Sequence, residues 1–325
     1  MCFRLAPDAS PNDCSKRLRN CWTNSTATFP PMCSASKWQG ALYELPPEWA
    51  DPEKAKVLVI PAPYEGTVSY GKGTAKGPEA IFRASQEVEH FDIELGTIPA
   101  QIGFSYIQPL ALENLKPEQA VQAVEKATID ALQKGKKPVM LGGEHSLSAG
   151  SIRAVREFCK EVMVLHLDAH ADLRQEYEGE PWSHACVMRR VHDLGVKVVS
   201  VGIRNISAPE YSFCREKKLP VYFMHRLRSL SGWEEMVARE LGSEIYITLD
   251  LDVLDPACMP GTGTPEPGGM SYLQLLNLFK TLARSGKQLL GMDMVELAPI
   301  PGQQVSEFTA ARLLYQMMGL FWLEK

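Results

Sequence analysis

The chain has 325 residues, 45% of them hydrophobic and 22% charged, with a formal net charge of -5. That length and apolar content are enough to bury a large core, which excludes disorder throughout. The acidic balance, with no run of Lys and Arg, excludes nucleic acid and anionic membrane surfaces as partners and leaves a small molecule, and no eighteen-residue apolar stretch is present to span a bilayer.

Residues 1–40 are rich in Ser, Thr, Asn and Pro, poor in acids, and without helical or strand periodicity. They read as a disordered leader ahead of a single domain over 41–325. The leader lacks the apolar core of a secretory signal. Its composition fits a flexible tail on a soluble, cytoplasmic protein and, more loosely, an organelle transit sequence. Four cysteines (Cys2, Cys14, Cys21, Cys33) crowd it, whereas Cys159, Cys186, Cys214 and Cys258 are scattered. A chain of this size needs no disulfide staples, so thiols in a reducing compartment are expected.

In chain order, "AKVLVIPAP" (55–63) reads as the first strand. The Gly- and Lys-rich "SYGKGTAKGPEA" (69–80) fails the phosphate-loop pattern, because Lys72 is followed by Gly73 and no strand feeds a Gly-Lys-Ser/Thr turn. "PEQAVQAVEKATIDALQKG" (117–135) has helical spacing, "KPVMLGGEH" (137–145) is a strand, "SAGSIRAVREFCKE" (148–161) a helix and "EVMVLHLDAH" (161–170) a strand. "WSHACVMRRV" (182–191) reads as a loop entering a helix, followed by the strands "VKVVSVGIR" (196–204) and "PVYFMHR" (220–226). The helix "GWEEMVARELG" (232–242), the strand "EIYITLDLDVL" (244–254), the helix "SYLQLLNLFKTLARSG" (271–286) and the strand "QLLGMDMVEL" (288–297) complete the series. The C-terminal "YQMMGLFWL" (315–323) reads as core in preference to interface. Near-continuous Val, Ile and Leu within strands signals burial on both faces, and strand-helix alternation signals parallel pairing with right-handed crossovers. An open, doubly wound, mostly parallel α/β sheet is expected, with a closed eight-fold barrel second.

Ligands of open α/β sheets bind beyond the carboxyl ends of the strands. Four of these strands end in ionisable residues: Glu144 and His145; Asp168, His170 and Asp172; Asp250, Asp252 and Asp255; Asp293 and Glu296. Each carboxylate buried there without a partner costs several kcal/mol or takes up a proton, so something cationic belongs among them. Alternation along an extended segment puts Asp168, His170 and Asp172 on one side, and likewise Asp250 and Asp252. With His145 the set is two imidazoles and four carboxylates, suited to two divalent ions about 3.5–4 Å apart sharing carboxylates. So oxygen-rich a set favours manganese over zinc, with nickel and iron also compatible. His166 shares the alternation but lies upstream, within the buried strand, and reads as a packed, hydrogen-bonded residue. His184 fits either a solvated helix start or a proton carrier. Glu296 fits either a partner for a buried Arg or a carboxylate for a planar cation. "LDPACMPGTGTPEPGGMS" (254–271), with four Pro and four Gly, is too long and rigid for a plain connector and reads as an active-site loop.

"GGEHS", "DAHAD", "LDLDVLDPACMPGTGTPEPGG" and "GMDMVE", in that order, resemble the signatures of the ureohydrolases, the arginase and agmatinase family, from about residue 55 to the C-terminus. The resemblance implies a three-layer α/β/α fold and a binuclear manganese centre that hydrolyses a guanidino group to urea and an amine. On its motifs, His145, Asp168, Asp172 and Asp250 would hold one ion, and His170, Asp168, Asp250 and Asp252 the other. His184 falls where the family places its proton-shuttling histidine, Glu296 where it places its guanidinium-binding glutamate, and Asp172 would carry a proton to the leaving amine. Arginases read the α-amino acid end of their substrate with an Asn two positions after the motif. Arg174 stands there in this chain, which disfavours arginine.

The run "DLRQEYEGEPWSHACVMRR" resembles the agmatinase branch. Glu176, Glu178 and Glu180 would suit a distal ammonium, while Arg174 would either bind a substrate carboxylate or pair with those glutamates. Agmatine, giving putrescine and urea, is therefore expected first, with guanidinobutyrate, guanidine and arginine as alternatives. A metallophosphoesterase would need a downstream His pair that is absent, and a non-catalytic metal-binding relative would not need so complete a ligand set. The resemblance also implies a homo-oligomer, trimer or hexamer.

Overall fold

The structure, a computed structural model, describes Trp38 and residues 40–323. Among the described residues, eight strands form one sheet: β1 (Val57–Ala62), β2 (Phe104–Tyr106), β3 (Lys137–Gly142), β4 (Met163–Leu167), β5 (Lys197–Ile203), β6 (Val221–Phe223), β7 (Glu244–Asp250) and β8 (Gln288–Val295). Their order is β2-β1-β3-β8-β7-β4-β5-β6 and every pairing is parallel. The sheet is open, so the doubly wound expectation holds and the barrel does not. Every strand expected from the sequence is present. The additional one, β2, is a three-residue edge strand paired with Val57–Val59, too short to show a period.

Helices longer than one turn are α1 (Gly77–Ser85), α2 (Pro117–Gln133), α3 (Ser148–Phe158), α4 (Val187–Asp193), α5 (Ala208–Lys217), α6 (Trp233–Glu240), α7 (Tyr272–Arg284) and α8 (Val305–Trp322). Strand alternation feeds two layers. On one face Val57, Val59, Ile245, Ile247 and Leu249 pack with side chains of α1, α6, α7 and α8. On the other, Leu58, Ile60, Val164 and Tyr246 pack with α2 to α5. Both faces are thereby buried, which is why the strands are continuously apolar. The helix α5 escapes sequence reading because it buries only Glu210 and Cys214, too narrow a stripe to register as periodicity. The C-terminal run sits in α8, where Tyr315, Met317, Met318 and Trp322 are buried, as the core reading expects. No disulfide joins Cys159, Cys186, Cys214 and Cys258. No helix among the described residues is long and apolar enough to cross a membrane. The leader lies outside the described residues except for Trp38, buried with its ring 4.6 Å from that of Phe82, and Gly40, whose carbonyl accepts from Tyr106 Oη.

Topology explains how four motifs spread over about 150 residues meet. From β3 the chain crosses to β4, leaving a gap that β7 and β8 later fill, so β3, β8, β7 and β4 are adjacent at the centre of the sheet. At about 4.8 Å between strands, four neighbouring carboxyl ends span roughly 15 Å, the scale of one small-molecule site. Two devices hold this end of the sheet in shape. Just after β3, Gly143 passes so close to β1's exit that a Cβ would lie 1.9 Å from the carbonyl oxygen of Tyr64. After β5, the Arg204 guanidinium donates to the carbonyls of Gly202, Asp252, Val253, Leu254 and Glu266, pinning both ends of the Pro/Gly loop. Burial pushes its pKa down. Asp255, read from the sequence alongside the candidate ligands, instead caps this loop by accepting from the N–H groups of Ala257, Gly268 and Gly269.

Replacing Gly143 with Ala is expected to destabilise the chain by about 1–3 kcal/mol, the range for overpacking, in urea unfolding; an unchanged midpoint would show that the two strand exits are not held in contact. Replacing Arg204 with Ala should speed amide exchange selectively over residues 254–271, and uniform protection there would contradict the clamp.

Candidate metal centre

His145 opens a single 3-10 turn (His145–Leu147) beyond β3 and is 1% exposed. Its Nε2 lies 2.9 Å from Thr248 Oγ1, which donates to Asp293 Oδ1 at 2.7 Å; Asp293 Oδ2 in turn accepts from Tyr246 Oη at 2.8 Å. Because the Thr248 proton goes to a carboxylate, the hydroxyl accepts from His145 Nε2–H, and the imidazole lone pair falls on Nδ1. That Nδ1 has no hydrogen-bond partner and lies 3.1, 3.2 and 3.3 Å from Oδ2 of Asp168, Asp172 and Asp250. A buried acceptor surrounded by three further acceptors is unfavourable unless a cation sits among them. The donor set thus fits a metal ion on the structure's own terms. Asp293 stands behind His145 and orients it, outside the cluster.

A second group adjoins the first. His170 Nδ1 is 2.9 Å from Asp252 Oδ2 and 3.5 Å from Asp168 Oδ1. Asp168 therefore gives one carboxylate oxygen to each group. The remaining oxygens are aimed by backbone donors: Asp250 Oδ1 accepts from Asp252 N–H, and Asp252 Oδ1 from Ala169 N–H. Each thereby turns Oδ2 to the cluster, where that of Asp252 also accepts from Thr264 Oγ1 at 3.3 Å. All six ligands expected from the sequence are brought together, although not by the strand pleat. The strand β4 ends at Leu167, Asp172 is in the left-handed region at φ 51°, and Asp252 sits in the turn Leu251–Val253. His166, wholly buried, places Nε2 2.9 Å from Asp168 Oδ2 and Nδ1 3.1 Å from Ser200 Oγ. Both ring nitrogens are engaged, which suits a residue that orients Asp168.

The electrostatics repeat the demand for cations. Burial, and then Asp252 and Asp168, push the Asp250 carboxyl well above its ordinary range. Burial and then Asp168 push Asp172 up. Burial opposes ionisation of Asp168 too, but His145, His166 and His170 outweigh it and hold that carboxyl well below the usual range. Four carboxylates within one buried group balance two dications.

His145, His170, Asp172 and Asp250 of the cluster line a cleft of about 210 Å³. Glu296 lines it at the end of β8 with φ 66°, and its Oε1 accepts from His145 N–H at 2.7 Å, leaving Oε2 for a ligand. Burial and then Glu144 push the Glu296 carboxyl well up, so a cation against it would be strongly favoured. His184 lines the cleft from the turn preceding α4. Its ring Nδ1 is 3.2 Å from Thr67 Oγ1 and 3.3 Å from Ser183 Oγ. Arg174 also lines the cleft, with its guanidinium 5.2 Å above the Tyr177 ring and Nε 3.9 Å from Glu210 Oε2. The partner of Arg174 is thus Glu210, and none of Glu176, Glu178 or Glu180. Those three do not line the cleft: Glu176 and Glu178 are exposed, and Glu180 accepts from Trp182 N–H. Sequence reading missed Glu210, Thr67 and Tyr177. Glu210 carries a detectable signal, since Ser207 three residues before it makes a capping box. Thr67 has none.

Residues 55–319 match the model of the arginase family. A relative from Synechocystis sp. named N(1)-aminopropylagmatine ureohydrolase is 41% identical over 277 residues, 83% of this chain and 90% of that protein. The agmatinase of Bacillus subtilis is 33% identical over 275 residues, covering 84% and 93% of the two chains. Among solved structures, the agmatine ureohydrolase of Thermoplasma volcanium superposes with a TM-score of 0.76 at 31% identity, covering 82% of this chain and 90% of that one. An arginase from Bacillus cereus, at 24% identity and TM-score 0.69, shares the fold. The matched span takes in every residue of the cluster and the cleft that opens on it, and the chain belongs to the arginase family, as an agmatinase-like ureohydrolase acting on C–N bonds of linear amidines.

Proposed function

We propose that the cluster holds two divalent cations, manganese in the first place, and that the chain hydrolyses agmatine to putrescine and urea. The observation that carries this reading is the lone pair of His145 Nδ1 set among three carboxylate oxygens, with Asp168 divided between that group and the one around His170. His145, Asp168, Asp172 and Asp250 would hold one ion, and His170, Asp168, Asp250 and Asp252 the other. The oxygen-rich set favours manganese, with nickel or iron as substitutes. A pair of such ions lowers the pKa of water toward neutrality, which answers the poor electrophilicity of a guanidinium carbon.

The chain's own groups supply the rest. Glu296 Oε2 is available for a guanidinium N–H pair, the planar cation that a carboxylate binds best. Asp172, at the edge of both cluster and cleft, takes a proton and delivers it to the departing amine. His184, on the cleft wall, exchanges protons with solvent. Arg174 is neutralised by Glu210, so the outer cleft does not repel a second substrate cation.

A second reading is supported by the names of the more similar relatives, which act on agmatine extended by an aminopropyl group. The cleft rim carries Tyr177 and Tyr70, the latter 80% exposed, and aromatic faces of this kind accept a longer cationic chain.

Urea release with manganese, and separately nickel, should be measured on agmatine, N1-aminopropylagmatine, guanidinobutyrate, guanidine and arginine. The two agmatine compounds are expected to turn over fastest, their ratio choosing between the readings; no urea from any of the five would end the ureohydrolase assignment for this chain. Asp252→Ala should bind one ion per chain in place of two and lose roughly 100-fold in kcat, the scale for perturbing a metal site. Two ions retained in that variant would contradict the ligand set.

A further inference from the structure

Glu144 is completely buried one residue before His145, yet all four of its side-chain hydrogen bonds lead away from the metal cluster. Oε2 accepts from the N–H groups of Gly66 (2.7 Å) and Thr67 (2.6 Å), and Oε1 from Thr67 Oγ1 (2.8 Å) and Ser146 Oγ (2.6 Å). The loop after β1 is thereby tied to the loop after β3. Thr67 Oγ1 also meets His184 twice, 3.0 Å from its backbone nitrogen and 3.2 Å from Nδ1.

A hydroxyl has one proton and two lone pairs. Glu144 offers only acceptors here, so the Thr67 proton is committed to it. The two lone pairs then receive the backbone N–H of His184 and its Nδ1–H. Neutral imidazole with its proton on Nδ1 carries its lone pair on Nε2. Ser183 Oγ, 3.3 Å from Nδ1 and already accepting from Ala185 N–H, is compatible with the same tautomer. Thr67 itself does not line the cleft.

We propose that Thr67, anchored by Glu144, is a positioning residue that selects the tautomer and orientation of His184, so that the imidazole presents Nε2 as proton acceptor. The carboxylate-hydroxyl-imidazole chain does for His184 what outer carboxylates do for catalytic histidines elsewhere: it fixes which nitrogen is basic and where it points. This inference rests on the proton-carrying role assigned to His184 above, and the two are separable by experiment.

The test is a double-mutant cycle in the manganese-loaded enzyme, with urea release from whichever agmatine compound turns over as the readout. Thr67→Val, which keeps the shape and removes the hydroxyl, should lower kcat about tenfold with KM nearly unchanged. Thr67→Ser should recover most of that loss. In a His184→Asn background, Thr67→Val should cost nothing further, because the group it acts through is gone. If thermal melting shows that the Val variant does not fold, Thr67→Ala enters the same cycle. A tenfold loss that persists in the His184→Asn background, or a rise in KM at constant kcat, would overturn the positioning role. Full kcat in His184→Asn alone would overturn the role of His184 itself, and this inference with it.

Discussion

Four carboxylates and the lone pair of a histidine are buried together at the centre of this sheet, and the rest of the structure is arranged around the cost of keeping them there. Such a group is unfavourable without cations and favourable with them. The protein relieves that charge only in part: histidines hold Asp168 ionised, but burial and neighbouring carboxylates oppose ionisation of Asp172 and Asp250, and His145 Nδ1 has no hydrogen-bond partner. Backbone N–H groups hold Asp250 and Asp252 from behind and leave the forward oxygens in place. Orientation is thus fixed in advance of binding, which is what a precise metal site requires.

The fold serves that requirement through topology more than through any one packing contact. A parallel sheet buried on both faces confines polar chemistry to the ends of its strands. Insertion of β7 and β8 between β3 and β4 makes four such ends neighbours. Support then comes from residues with no chemistry of their own. Gly143 permits backbones to touch, Arg204 ties down a long loop through carbonyl oxygens, and the chain from Tyr246 and Thr248 to Asp293 decides which nitrogen of His145 carries a proton. Against the sheet, α8 buries every residue from Leu313 to Gly319, so that stretch is close-packed all round.

Much of this was legible in the linear chain. Seven strands and the helices α2, α3, α6 and α7 show their periods directly, because their environments are set by residues two or three to four positions away, whereas α8, apolar nearly throughout, reads only as core. The six candidate ligands were legible for a different reason: acidic and imidazole side chains at the ends of apolar strands have no inexpensive structural explanation. Short or narrow elements were not legible. The edge strand β2 has three residues, and α5 buries two side chains, which is too little pattern for a period to emerge.

What sequence determined by itself is the list of groups that must share one place, since the composition of each strand end dictates its chemistry. How they meet was decided only in three dimensions. Alternation suggested that Asp168, His170 and Asp172 share a strand face, whereas the strand stops at Leu167 and Asp172 itself adopts left-handed backbone. Arg174 reads in the sequence as a match for nearby glutamates and instead lies beside Glu210, 36 residues further along. Thr67 stands 117 residues from His184 and touches it. Pairings at such separations depend on the crossover order of the strands, and that order leaves no trace in the local pattern of any segment.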